Sequence, residues 1–286
     1  LVIPDRVSSQ HISVKNPFDL NATMESGQVF RWEIVDKVWY AGVLEQQGVL
    51  LRRANDGLIV RSKGNVLDAV AMFFRLEDDL NTIFTEVSSD RFVAEAFQKN
   101  QGLRILRQEA WECLVSFICS SVSNIPKIKR SLRALAKIYG NPVEIDGHIL
   151  YAFPSPERLA AVTEDELRDL GLGFRAKYLV ELTSIVTSGI VDFCKLREMT
   201  YKEAKASLIK LPGVGEKVAD CVLAFSLDKL EGFPIDRWVR RSLEERYPSA
   251  KRMDYTELRS WAQNKWGRNS GYVQQYLFQE KRLEGK

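Results

Sequence analysis

Cysteine and histidine are scarce. Four cysteines (Cys113, Cys119, Cys194 and Cys221) and two histidines (His11 and His148) are spread over 286 residues. None of the cysteines form a C-x-x-C pair, so a zinc site lacks ligands at the right spacing. An iron–sulfur cluster needs four grouped cysteines and is excluded in the same way. The expectation is reduced thiols and a chemistry that needs no metal and no cofactor. Long apolar runs are missing too: nothing approaches the roughly 20 residues that span a bilayer. The opening stretch "LVIPDRVSSQ" has no basic segment followed by an apolar core, so no secretory signal is expected; its first residue is Leu, not Met, which leaves room for an upstream piece. Charge of one sign is also lacking. With a net charge of only +3, a nucleic-acid partner must be argued from where the charges lie.

What remains is ordinary globular composition, 45% hydrophobic and 28% charged, long enough for one large domain or two. The first hundred residues carry short runs rich in Val, Ile, Trp and Tyr: "VFRWEIV", "KVWYAGVL", "GVLLRRA" and "GLIVRSK". Turn-like "DK", "QQ" and "NDG" separate them, which predicts an antiparallel meander. Ahead of it, "DLNATMESG" predicts a short helix capped by Asn21 and stopped at Gly27. From about residue 105 every strong signal is helical. "EAWECLVSFICSS" reads as a buried helix, and "SPERLAAVTEDELRDLG", "TYKEAKASLIKL" and "DYTELRSWAQNKWG" each begin with a Ser, Thr or Asp cap. The expected class is α+β: an N-terminal antiparallel-sheet lobe with helices over residues 1–104, then a mostly helical body over 105–286.

Inside that body, "LPGVGEKVADC" (211–221) predicts a helix–hairpin–helix at about 203–226. "EAKASLIKL" is one helix, Pro212 ends it, and Gly213 and Gly215 supply backbone angles that side chains forbid. "EKVADCVLAFSL" restarts a helix whose first N–H groups, with Gly213, Val214 and Gly215, form a phosphate clamp that reads no base. A corner that merely packs explains the glycines equally well. The lysine is different, because at a helix start Lys217 gains nothing from the dipole, while apolar walls would leave its amine available as a nucleophile. Nineteen residues on, "GFPIDRWVRRSL" places Asp236 as a helix cap, where negative charge is held cheaply. Capping alone accounts for such an aspartate. A carboxylate beside a lysine amine and a phosphate clamp also suits attack at a nucleotide sugar, where positive charge develops on the ring.

These stretches resemble the helix–hairpin–helix superfamily of DNA glycosylases, and more specifically the 8-oxoguanine DNA glycosylase family. "NPFDLNATMESGQVFRW", "GLRILRQEAWECLVSFICSS", "LGLGFRAKY", "LPGVGEKVADC" with "FPID", and "GYVQQYLF" match in order along nearly the whole chain. The resemblance implies a bifunctional glycosylase and abasic-site lyase acting on a base flipped out of damaged double-stranded DNA. It implies Lys217 as the nucleophile at C1′, passing through a Schiff base to β-elimination, and Asp236 as the group that assists base departure. It implies that the carbonyl of Gly27 accepts the N7–H of the oxidised guanine, that Cys221 and Phe278 sandwich the base, and that Gln274 bonds its Watson–Crick edge. Phe174 would be the wedge in the duplex and Arg175 would face the partner strand. Lys127, Lys129, Arg130, Arg133 and Lys137, on a stretch with no acid, would track the backbone. Each has a plainer reading: a C-cap glycine for Gly27, a core cysteine for Cys221, a helix–core contact for Gln274 and Phe278, and a solvated face for the basic helix. A monomer is implied, not secreted and with no membrane partner, located in the cytoplasm with the nucleoid in a prokaryote or in the nucleus of a eukaryote.

Three positions in two stretches depart from the family pattern. Where it has three asparagines after "FICSS", this chain has Val122, Ser123 and Asn124, and only Asn124 matches. Valine cannot hydrogen-bond a cytosine opposite the lesion, so the expectation is a weak opposite-base preference. Trp238 stands where a histidine near a phosphate is common, and carries over no role. Two other classes stay open: an alkylated-base glycosylase that uses water as nucleophile, and a non-catalytic DNA-binding module in which Lys217 and Asp236 are expendable.

Overall fold

The computed structural model describes residues 7–285. Residues 1–6, most of the stretch read for a leader, lie outside the described residues. In chain order the helices are α1 (Leu20–Met24), α2 (Leu67–Phe73), α3 (Leu80–Val87), α4 (Arg91–Lys99), α5 (Ala110–Ser120), α6 (Ile125–Tyr139), α7 (Pro156–Leu159), α8 (Glu164–Leu167), α9 (Arg175–Thr187), α10 (Phe193–Glu198), α11 (Tyr201–Leu208), α12 (Glu216–Ser226), α13 (Arg237–Arg246), α14 (Tyr255–Trp266) and α15 (Ser270–Glu284). Among the described residues no helix is long and apolar enough to cross a membrane.

The chain forms two compact units, each assembled from separate segments. The first takes the segment ending at Lys15, Val29–Glu77 and Ile118–Val191. The second takes Asn16–Gln28, Asp78–Phe117 and the chain from Asp192 onward. The expected division between residues 104 and 105 is not one of the points where the chain passes from one unit to the other. Composition along a sequence marks where strand signals stop, whereas compactness follows contacts between distant segments.

The first unit is built on a five-stranded antiparallel sheet in the order β1 (Ser8–Ser13), β5 (Gly57–Ser62), β4 (Gln47–Ala54), β3 (Trp39–Leu44), β2 (Glu33–Val35). Two of its turns have positive φ at both central residues: Asp36 (48°) with Lys37 (64°), and Glu45 (47°) with Gln46 (63°). That backbone twist matches the twist of the flanking strands. The second turn lies one residue upstream of the expected "QQ", because Gln47 pairs with Leu44 inside the ladder. β1 was not expected; its polar "SSQHIS" pairs with β5 at the sheet edge, where no apolar alternation is needed. A second departure is the hairpin β6 (Pro142–Ile145) and β7 (His148–Tyr151), in a region read as all helical. It turns at Asp146-Gly147, with φ of 47° and 79°, and buries Ile145 and Leu150 in one core with Trp39, Ala41 and Leu50.

The second unit is helical. Thr200 and Asp254 cap α11 and α14 as their sequences predict, and each forms a reciprocal capping box, with Glu203 and Glu257 respectively. α1 corrects one expectation: its cap is Asp19, whose carboxylate accepts the Ala22 N–H at 2.9 Å, and Asn21 lies in the first turn. α15 is buried on nearly every side. Tyr276 stacks on Phe97 of α4 at 3.6 Å, and Gly271 is required because a Cβ there would come within 2.8 Å of the Leu230 carbonyl oxygen.

Candidate active site

The hairpin between α11 and α12 follows from four residues. The Val214 N–H closes on the Leu211 carbonyl at 3.1 Å, with Pro212 in second place and Gly213 third at φ 75°, the arrangement of a type II turn. α11 ends at Leu208, three residues earlier than the sequence reading. Gly215 corrects another expectation. Its φ of −94° is open to any residue, and an added Cβ would meet nothing within 4 Å. Gly215 is the cap residue of α12 and has no side chain to offer the first-turn N–H groups. Those groups have no acceptor within the helix, so they present an anion site.

Lys217 lies in the first turn of α12, its Nζ 5.0 Å from the ring centre of Phe117. One turn further, Cys221 is buried. Burial pushes its thiol up to about 12, with the Lys217 charge pulling the other way, so the thiol stays neutral near pH 7. Asp236 caps α13, its Oδ1 accepting the N–H groups of Trp238 (2.9 Å) and Val239 (2.8 Å). The expectation that a helix start would hold its charge cheaply fails here. Burial raises the Asp236 carboxyl above its ordinary value, outweighing the Val239 N–H and the Lys217 charge that favour ionisation. The same charges act on Cys221, so Lys217, Cys221 and Asp236 share one electrostatic neighbourhood.

The second unit also gathers Gly27, Gln274 and Phe278. Gly27 is left-handed at φ 79° in the turn after α1, and that turn is fastened on both sides. The Gln275 amide donates to the Ser26 carbonyl at 3.0 Å and Arg282 to the Glu25 carbonyl, both from α15. The Gln28 side chain donates to the Arg104 carbonyl and accepts the Leu106 N–H, each at 2.9 Å. Gln274 is 4% exposed, and its Oε1 has no hydrogen-bond partner among the described residues. An unmet buried acceptor is uncommon in native proteins. Phe278 is half-buried on the same helix, with the Arg282 guanidinium 5.7 Å from its ring centre. Trp238 packs: a Cβ on Gly285 would come within 2.8 Å of its ring.

Asn124, Lys127, Phe174 and Arg175 belong to the first unit. The Asn124 carboxamide caps α6, accepting the Lys127 N–H at 3.0 Å, beside an open cleft of about 490 Å³ lined by Lys127, Arg130, Ser131 and Gly171. Phe174 is 48% exposed. Arg175 does not face outward. It is 4% exposed, and its guanidinium donates to the carbonyls of Ser121 (2.9 Å), Val122 (3.0 Å) and Leu172 (3.2 Å) while lying 4.5 Å from the Phe174 ring centre. Arg175 therefore shapes the turn that leaves Val122 91% exposed at φ 51°. Of the basic set on α6, Lys127, Arg130 and Lys137 are exposed and Lys129 is half-buried, while Arg133 turns to the Trp32 carbonyl at 2.8 Å.

Sequence reading missed two sets of residues around Lys217: Phe117, and the partners of Asp220. The signal for the second was present, since Asp220 is a lone acid in the apolar run "KVADCVLAF".

The chain matches two family models: the 8-oxoguanine DNA glycosylase N-terminal domain over residues 11–114, and HhH-GPD superfamily base excision DNA repair proteins over residues 115–268. It is 34% identical to the N-glycosylase/DNA lyase OGG1 of Arabidopsis thaliana over 77% of this chain and 64% of that one. It is 32% identical to the N-glycosylase/DNA lyase of Saccharomyces cerevisiae over 86% and 73% respectively. Among solved structures, the 8-oxoguanine glycosylase/lyase of Clostridium acetobutylicum, in complex with double-stranded DNA containing cytosine opposite 8-oxoguanine, superposes with a TM-score of 0.90 at 29% identity, covering 98% of this chain and 99% of that one.

Proposed function

The chain belongs to the HhH-GPD superfamily of base excision DNA repair proteins, and from that premise we propose how its own residues carry out the reaction. It is an N-glycosylase/DNA lyase that excises 8-oxoguanine from duplex DNA. The Lys217 amine attacks C1′ as the C1′–N9 bond breaks, and the base leaves with the N9 electron pair and takes up a proton shed by the attacking nitrogen. Opening of the sugar then gives a Schiff base between Lys217 and C1′. Loss of a proton from C2′ expels the 3′ phosphate by β-elimination. Asp236 supports the positive charge that develops on the sugar as the base departs.

The observation that carries this reading is the shared neighbourhood of Lys217 and Asp236 at the hairpin, where the charge of each acts on Cys221. The first-turn amides of α12, with Gly213, Val214 and Gly215, hold a backbone phosphate. Gln274, its Oε1 unpartnered among the described residues, reads the Watson–Crick edge of the base. The Gly27 carbonyl accepts the N7–H peculiar to the oxidised guanine, and Cys221 and Phe278 bracket the ring. Phe174 wedges the duplex, Asn124 and Lys127 contact the DNA backbone, and Arg175 acts by holding the 121–122 turn.

Borohydride trapping tests the nucleophile. On a duplex with one 8-oxoguanine opposite cytosine, wild type is expected to give a covalent adduct, and Lys217→Gln none. Released base without an adduct would point instead to a water-using glycosylase. Neither adduct nor release would leave a DNA-binding module.

A further inference from the structure

We propose that Asp220 is a positioning residue: its buried carboxylate, gripped by Lys205, Tyr201 and Tyr255, fixes the helix that carries Lys217 against the turn that carries Asp236. The proposal rests on the roles given to Lys217 and Asp236 above.

Asp220 lies three residues after Lys217 on α12 and is fully buried. Lys205 of α11 reaches both its oxygens at 2.8 Å. Tyr201, one turn before Lys205, donates to Oδ1, and Tyr255, the first residue of α14, donates to Oδ2 at 2.9 Å. The same lysine reaches Glu216, the residue just before Lys217, at 2.8 Å, and Arg259 of α14 pairs with Glu216 as well. The nucleophile thus sits between two acids, each held by α11 from one side and by α14 from the other.

Tyr255 extends this grip to the second catalytic group. A phenol has one proton to give, and here it goes to Asp220. Its oxygen then accepts the Ile235 N–H at 3.2 Å, directly before Asp236. One hydroxyl therefore ties the lysine helix to the aspartate turn. Stability is a poor reason to bury such a cluster, because removing a buried ion pair in favour of apolar side chains of similar volume is often neutral or stabilising. Geometry is a better one, since a displacement of about 1 Å between reacting groups costs on the order of 100-fold in rate.

Tyr255→Phe deletes only the hydroxyl and keeps the ring. Its single-turnover excision of 8-oxoguanine opposite cytosine should fall between ten- and a hundredfold. Its Kd for a duplex whose lesion carries a 2′-fluorine that blocks excision should stay within twofold of wild type, as should that of the apolar pair Lys205→Met/Asp220→Leu. A purely structural cluster would lower the melting temperature and spare this split between rate and affinity. If either variant folds and excises within threefold of an active wild type, the positioning role is overturned. If Tyr255→Phe does not fold, the apolar pair decides by the same readouts. A wild type that neither excises base nor traps would overturn the functional reading itself, a result separable from the others.

Discussion

The two glycines of the hairpin should respond in opposite ways to the same substitution. Gly213 is left-handed at φ 75°, so Gly213→Ala forces a Cβ into a conformation that costs roughly 1–2 kcal/mol. For a chain of this size that is a melting-temperature loss of roughly 2–3 °C. Gly215 is extended, with nothing within 4 Å of an added Cβ. For Gly215→Ala, the reduced freedom of the unfolded chain, about 0.4–1 kcal/mol, offsets the slightly poorer cap, so stability should change by less than about 0.5 kcal/mol. In the proposed clamp a phosphate approaches the α12 amides through the space left open at Gly215, so the methyl should weaken duplex binding instead. The expected pattern is lost stability for Gly213→Ala, and intact stability with several-fold weaker binding for Gly215→Ala. Scanning calorimetry and fluorescence anisotropy at two salt concentrations read both. A Gly213→Ala protein as stable as wild type would refute the turn assignment. A Gly215→Ala protein that binds DNA normally would refute the clamp.

Because burial raises the Asp236 carboxyl, the acid limb of the excision rate should lie above the ordinary aspartate value of 3.8 and disappear in Asp236→Asn, with a rate loss on the order of 10²–10³-fold. The stability sign runs the other way: a raised folded-state value contributes stability that is present below 3.8 and lost as pH rises through the folded value. Asn caps helices as well as Asp, so Asp236→Asn should be at least as stable as wild type at pH 7. At Val122, excision opposite cytosine and opposite adenine should proceed at comparable rates; a strong preference for cytosine would contradict this. Val122→Asn, at φ 51°, should relieve about 1 kcal/mol of left-handed strain and introduce a preference for cytosine, measurable by comparing the two duplexes.

Local chemistry was legible in the sequence at several single residues: the Thr200, Asp254 and Asp236 caps and the hairpin at Gly213. The β6–β7 hairpin carried the strongest short-range turn signal, Asp-Gly between alternating residues, but the long helical patterns around it hid two strands of four residues. The resemblance sets Arg175 toward the partner strand, whereas its guanidinium is turned inward to backbone carbonyls. Nothing local announces the Ser121 and Val122 carbonyls, which arrive from a turn more than fifty positions earlier. The same holds for Asp220, whose partners are brought from α11 and α14, and for the raised carboxyl of Asp236, since burial is a property of the assembled unit.

The fastening of the Gly27 turn sets a timetable for synthesis. The Ser26 carbonyl finds its donor on Gln275, 249 positions later, and Glu25 waits 257 positions for Arg282. At about 5–20 residues per second on the ribosome, that delay is roughly ten to fifty seconds. For all of it, the turn that the proposed function sets against the oxidised base has emerged without the helix that holds it. The Gly27 turn is therefore among the last parts of the nascent chain to be fixed in place.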